Sequence, residues 1–245
     1  MLIISNFCHM EHVPLRLDSF NSFYFYVFKY DTTLQQFQAL RLSMTNLVSE
    51  QEFWDSIYQH KKAGWDLKLP TPVFQRILKE KKIINSRKLL ILGSGYGYDA
   101  VEAAKAGFEV TAVDFSSTAV SFAKKLAQKE NVNVDFIQND FFKFEADNSS
   151  GFDAVYDYVT YCAINPARRE EYAKLINTLL KCGGVFIALW FPVEERKGGP
   201  PFGINLEETE SFFSKFLKLK SSTIEKDTIK PRKGREVLQI YRKEC

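Results

Sequence analysis

Apolar positions along this chain alternate between two rhythms. Short apolar or alternating runs, the length of buried strands, occur at 89–92, 109–113, 132–137, 152–158 and 185–191. Between them lie helix-forming stretches with apolar residues on one face, at 73–82, 99–104, 116–129 and 166–181. Ser116 or Ser117 can cap the third, Pro166 opens the fourth, and Gly183-Gly184 is expected to stop it. On the inner face of the helix over 116–129 the spacing puts Ala119, Val120, Phe122, Ala123 and Leu126. A loop at Gly198-Gly199-Pro200-Pro201-Phe202, a helix over 206–216 and strands near 218–225 and 237–241 close the pattern. Five β-α steps plus a final hairpin predict an α/β fold with a doubly wound, seven-stranded, mostly parallel sheet. Upstream, residues 45–60 predict one amphipathic helix capped by Thr45 or Ser49, with Phe53, Trp54, Ile57 and Tyr58 on one face.

The centre of the pattern is residues 88–114. The run Leu89-Leu90-Ile91-Leu92 ends in Gly93-Ser94-Gly95-Tyr96-Gly97, a turn that a ligand can approach closely, and a helix with acids in its first turn follows. A second strand ends in Asp114, about twenty residues past the first glycine, where a ribose diol needs an acceptor. A dinucleotide fold places a third glycine where this chain has Tyr98, so the spacing argues against a nicotinamide cofactor. It fits a smaller, phosphate-free ligand, S-adenosylmethionine. Asp140-Phe141 ends the third strand at the rim where such sheets bind ligands; the acid can accept from an adenine amino group, though it also suits a solvated turn. Asp157 and Tyr158 hold the same position on the fourth strand. Trp54, Tyr58 and Trp65 suit an ordinary amphipathic helix and loop, or an aromatic lid over a sulfonium, each ring attracting a desolvated cation by ~0.5–2 kcal/mol.

Composition narrows the field further. A chain of 245 residues holds one full α/β core, and 33 Lys and Arg against 30 Asp and Glu give no general pull toward nucleic acid. Basic residues cluster only at Lys230-Pro231-Arg232-Lys233-Gly234-Arg235. Cys8, Cys162, Cys182 and Cys245 are scattered without metal spacing and are expected to be reduced thiols of a cytoplasmic protein. No apolar run approaches the ~20 residues that span a bilayer. Residues 1–43, dense in aromatics at 20–30 but without a helical period, are expected to be an extension, disordered or translated upstream of a working start at Met44. Residues 44–245 then form the working domain, expected to act as a monomer on a small molecule, without nucleic acid, membrane or metal. His9 and His12 lie in the extension and His60 at a helix end, so no histidine-based nucleophile set is apparent.

From about residue 53 to 243 the chain resembles the thiopurine, thiol and halide S-methyltransferase family of class I methyltransferases. The blocks that carry the resemblance are Phe53-Trp54, Gly64-Trp65-Asp66-Leu67, the glycine turn with Tyr98-Asp99, Val113-Asp114-Phe115-Ser116 and Phe152-Asp153 through Asp157-Tyr158. Cys162-Ala163-Ile164-Asn165-Pro166 with Arg169, the Gly198–Phe202 loop and Pro231–Glu236 complete it. It implies a Rossmann-like methyltransferase with an N-terminal helical lid, moving a methyl group from S-adenosylmethionine to a thiopurine, thiol, hydrosulfide, thiocyanate or halide. Cofactor contacts are expected from Trp54, Tyr58, Trp65, Gly93, Gly95, Asp114, Phe115, Asp140, Phe141, Asp157 and Tyr158. Arg169 is expected to hold the anionic acceptor, with Pro201-Phe202 and the Arg235 region bordering it; without the resemblance, Arg169 would read as a solvated charge beside Arg168 and Glu170. The chain departs from the family pattern at Tyr58, where tryptophan is usual, at Ser94, where cysteine is common, and after Glu236. Competing readings are a non-catalytic cofactor-binding module and a nicotinamide-dependent reductase.

Overall fold

The computed structural model describes residues 45–60, 62–80, 83–84, 87–144 and 151–245. The expected extension over 1–43 lies outside them. The strands are β1 (Lys88–Leu92), β2 (Glu109–Asp114), β3 (Asp135–Gln138), β4 (Phe152–Tyr158), β5 (Leu180–Trp190), β6 (Lys218–Ile224) and β7 (Val237–Arg242). They form one sheet in the order β3-β2-β1-β4-β5-β7-β6. The first five pair in parallel, and β7 runs antiparallel between β5 and β6. Strand order reverses between β1 and β4, and at such a switch point the loops leaving adjacent strands part and open a crevice at their carboxyl ends.

Helices α1 (Gln51–Gln59), α2 (Pro72–Glu80), α3 (Tyr98–Lys105), α4 (Ser117–Lys129), α5 (Arg169–Leu179) and α6 (Leu206–Phe213) complete the fold. Alternation along β1 sorts the core. Leu89 and Ile91 join Phe74, Ala103 and Ala123 of α2, α3 and α4, whereas Leu90 and Leu92 join Tyr172 of α5 and Phe213 of α6. At roughly 1.5–3 kcal/mol for each large side chain fully buried, these two layers dominate the stability. Phe74 stacks on Tyr156 with ring centroids 3.9 Å apart, fixing α2 against β4.

The expected single helix over 45–60 is broken. Glu50 is extended, with φ −104° and ψ 133°, so α1 starts at Gln51 with no side-chain cap. The break lets Val48 bury, and its carbonyl accepts a bond from the Trp54 indole at 2.9 Å. Phe122 points outward rather than into the core, packing beside Tyr96 at 4.5 Å. The helix after Pro166 ends at Leu179, and Gly183-Gly184 lie inside β5, where a bulge shifts its register against β4. Gly183 N–H donates to Lys243 O and Lys243 N–H to Gly184 O, drawing the end of the chain along the start of β5. That pairing corrects the expectation of four reduced thiols: Cys182 and Cys245, with Cα atoms 5.5 Å apart, are joined in a disulfide, and Cys162 is free and buried. No helix among the described residues is long and apolar enough to cross a membrane.

Candidate active site

The crevice opens into a cavity of about 530 Å³ along the carboxyl edge of the sheet. Its lining follows strand order: Asp140 after β3, Asp114 at the end of β2, Gly93 after β1, Tyr158 at the end of β4, Phe191 after β5, and Arg232 ahead of β7. One end therefore carries two acids, with the Arg168 guanidinium over the neighbouring Phe142 ring at 3.5 Å, and the other end is basic.

Asp114 is buried, and its two carboxylate oxygens accept from Gly95 N–H at 2.7 Å and Ser116 N–H at 2.9 Å. Each oxygen keeps a lone pair, which fits a pair of vicinal hydroxyls. Burial pushes this acid up to about 6 against those bonds, with the nearby Asp55 charge adding to the rise. Gly95 is left-handed, φ 54°, and a Cβ there would stand 3.1 Å from the Tyr58 hydroxyl, so the turn leaves the ligand room that a side chain would fill. Gly97, φ 79°, sits where a Cβ would be 2.7 Å from that of Ala123; it gives the close packing that the glycine replaced by Tyr98 provides in dinucleotide folds. The Ser94 hydroxyl is buried in the cavity lining without a protein partner, which suits the polar amino-acid end of a ligand.

The lid residues come together. Trp65 lies 5.7 Å from Trp54 and 5.8 Å from Tyr58, edge to face, and Tyr58 lies 5.1 Å from Tyr96. The lid helix is fastened at its far side: Asp55 of α1 accepts from Ser116 Oγ at 2.5 Å and Thr118 N–H at 3.1 Å at the start of α4. Phe115, Asp140 and Phe141 line the acidic end, with Asp140 also accepting from Phe142 N–H at 3.0 Å. These groups fit S-adenosylmethionine: a carboxylate for the ribose, a glycine turn without a phosphate cradle, and rings for the sulfonium.

Two expected site residues face elsewhere. Asp157 is wholly buried outside the cavity lining, accepting from Tyr172 Oη at 2.7 Å and Thr160 N–H at 3.1 Å, and so shapes the turn after β4. Arg169 is also buried and outside the lining. Its guanidinium donates to Gly203 O at 2.9 Å, lies 3.5 Å from the Glu208 carboxylate and sits over the Tyr161 ring at 4.8 Å. It thereby underpins the Gly198–Phe202 loop, which is tied at its other side by Phe202 N–H donating to Cys162 O at 2.7 Å. The Cys162 thiol lines the cavity but is pushed up to about 12 by burial and by Asp157, so it stays protonated.

The basic end holds groups the sequence did not single out. Arg232 is buried beneath the rings of Phe191 and Tyr158, at 4.9 and 5.1 Å, and donates to Trp65 O at 2.7 Å and to the Tyr158 hydroxyl. Tyr158 in turn donates to Glu236 at 2.5 Å. Tyr158 was expected as a cofactor contact, and its partners place it at the basic end. Position within a basic run marked Arg232 only as one cation among four, and Glu236 was visible only as part of a family block.

A doubly wound sheet with an acid on the second strand, a G-x-G-x-G turn and an aromatic lid defines a class I S-adenosylmethionine-dependent methyltransferase. The family model described as thiopurine S-methyltransferase matches residues 49–244, and the chain belongs to that family. It is 34% identical to "Probable thiol methyltransferase 2" of Arabidopsis thaliana over 211 residues, covering 84% of this chain and 92% of that protein. It is 29% identical to "Thiocyanate methyltransferase 1" of Brassica oleracea, covering 79% and 86%. Among solved structures, the Burkholderia thailandensis 1,6-didemethyltoxoflavin-N1-methyltransferase with bound S-adenosylhomocysteine aligns with a TM-score of 0.63 at 21% identity, covering 89% of this chain and 94% of that one, which shows the shared fold.

Proposed function

We propose that this enzyme transfers the methyl group of S-adenosylmethionine to a small sulfur or halide nucleophile: a thiol, a thiopurine, hydrosulfide, thiocyanate or halide. The observation that carries the reading is the polarity of the cavity, acids and glycines where the donor belongs and a buried arginine where the acceptor belongs. The thiol and thiocyanate methyltransferases among the relatives support it. When bound, S-adenosylmethionine supplies a methyl on a sulfonium, open to in-line displacement.

The chain's own residues would supply position and charge. Asp114 holds the ribose, Asp140 and Phe141 the adenine, and the Ser94 hydroxyl the amino-acid end. Trp54, Tyr58 and Trp65 exclude water and favour the cationic donor over its neutral product. Arg232 attracts an anionic acceptor beside Phe191. Since effective molarities of well-oriented pairs reach ~10⁵ M or more, placement alone can supply much of the rate for an acceptor that arrives ionised. Arg169 acts from beneath, by fixing the loop that walls the acceptor end.

A panel of sulfur and halide acceptors with methyl-labelled S-adenosylmethionine tests the reading. Label is expected in at least one methylated sulfur or halide product. Tight S-adenosylmethionine binding with no transfer to any acceptor would make the chain a binding module instead.

A further inference from the structure

Thiol acceptors pose a problem that thiocyanate and halides do not. A thiol with a pKa near ~8.5 carries its proton at neutral pH and is a poor nucleophile until it loses it. No histidine is among the described residues that line the cavity, and Cys162, the one thiol among them, is itself held protonated. One hydrogen-bonded chain does lead out of the acceptor end. Arg232 donates to the Tyr158 hydroxyl, and the Tyr158 hydroxyl donates to the Glu236 carboxylate. Tyr158 lines the cavity, whereas Glu236 is buried behind it, 1% exposed.

We propose that Tyr158 and Glu236 form a proton relay that ionises thiol acceptors, with Glu236 as the terminal base and Arg232 as the cation that keeps the thiolate. The thiol donates to the lone pair of Tyr158 Oη that Arg232 leaves open. Its S–H bond breaks with the electron pair staying on sulfur, Tyr158 takes that proton, and the phenol's own proton passes to the carboxylate. The products are a thiolate, a neutral tyrosine and a neutral Glu236. No free phenolate is required, which matters because burial raises the Tyr158 phenol far above its ordinary range.

Two effects narrow the energetic gap between base and thiol. An ordinary glutamate sits ~4 pH units below a thiol. Glu236 is raised first by burial, against the bonds from Tyr158, the Arg232 charge 3.9 Å away and the Thr228 hydroxyl, and Glu225 raises it further. Arg76 partly offsets Glu225 from 2.7 Å, and the buried Tyr156 phenol also feels the charge of this carboxylate. From the other side, a guanidinium beside a developing anion lowers its pKa by ~1–3 units. The last strand of the sheet thus takes part in the chemistry: Glu236 immediately precedes β7 and Arg232 stands one turn earlier.

The inference rests on the methyltransferase reading, so its test separates the two. The full chain and its Glu236→Gln and Tyr158→Phe variants are assayed with an aliphatic thiol and with thiocyanate between pH 6.5 and 9.5, and the ratio of the two kcat/KM values is followed. At pH 7 each variant is expected to lower the thiol-to-thiocyanate ratio by ~10²-fold, the usual worth of a general base. The ratio should recover as pH rises and the thiol ionises in solution. Independently of turnover, the S-adenosylhomocysteine complex is titrated with the thiol at pH 7, where ultraviolet thiolate absorbance is expected with the native chain and is expected to be lost in Glu236→Gln. An unchanged ratio across the pH range, or equal thiolate absorbance in native and variant chains, would overturn the relay. Methylation of thiocyanate or a halide but of no thiol by the native chain would overturn the relay alone, whereas failure to methylate any sulfur or halide acceptor would overturn the methyl-transfer reading and the relay with it.

Discussion

Asp114 shows how much one carboxylate can carry. Both its oxygens are oriented by backbone N–H groups, yet burial holds it near 6. Because the ionised form accepts best from ribose hydroxyls, S-adenosylmethionine affinity is expected to fall as pH drops through about 6, and calorimetry on Asp114→Asn should lose that dependence. Asp114→Ala is expected to cost ~1.5–3 kcal/mol of binding, the scale of hydrogen bonds to a charged acceptor; unchanged affinity would remove it from the ribose. Arg169 makes the opposite point. Its family block drew attention to it as an acceptor contact, but the structure turns it inward onto Gly203 O and Tyr161. Arg169→Ala should raise the acceptor KM by about 5-fold, the equivalent of ~1 kcal/mol, through a looser Gly198–Phe202 loop. A calorimetric loss of S-adenosylmethionine affinity matching that of Asp114→Ala would contradict this role.

At the scale of elements, strand-helix alternation and the glycine turn were legible because each rests on local chemistry: apolar runs, caps and turn residues. Ser116 caps α4 as its position suggested, accepting from Ala119 N–H at 3.2 Å. The misplaced boundaries have long-range causes. Val48 leaves the expected helix because burial beside Trp54 outweighs one more helical turn, and Gly183-Gly184 enter β5 because the end of the chain pairs there. Nothing local distinguishes Asp55 from other helix-surface acids, yet it fastens α1 to α4. Burial opposes its charge, but bonds from Ser116, Gln51, Thr118 and Ser117 hold its pKa below the ordinary range. Asp55→Ala is expected to free the lid and speed S-adenosylmethionine release by about 10-fold, the kinetic equivalent of ~1.4 kcal/mol, followed by stopped-flow fluorescence of Trp54 and Trp65. An unchanged release rate would show that the lid closes without this latch.

Over the whole molecule, acids raised by desolvation shape the response to pH, Glu236 among them. Asp99, Asp114 and Asp157 are each raised by burial from 3.8 to about 6. Between those values the folded chain binds more protons than the unfolded one, so these groups stabilise the fold most at the acidic side and lose that contribution as pH rises through 6. The ligand-free chain should therefore melt at a higher temperature at pH 5.5 than at pH 7.5 by calorimetry; acids held below the ordinary range, such as Asp55 and Asp153, are ionised in both states over that interval, so the reverse order would contradict the raised carboxyls. The Cys182–Cys245 link joins β5 to the last residue and was invisible at this scale, because 63 positions separate the two cysteines in sequence.

Arg232 grips the Trp65 carbonyl with one nitrogen and the Tyr158 hydroxyl with another. On the proposed reading the doorway for the donor and the seat for the acceptor share a bolt, which would couple the coming and going of the two substrates. Turnover should follow a compulsory order, donor first in and its demethylated remnant last out. Product-inhibition kinetics would then show S-adenosylhomocysteine competing with the donor alone, and random-order patterns would show that the bolt does not hold.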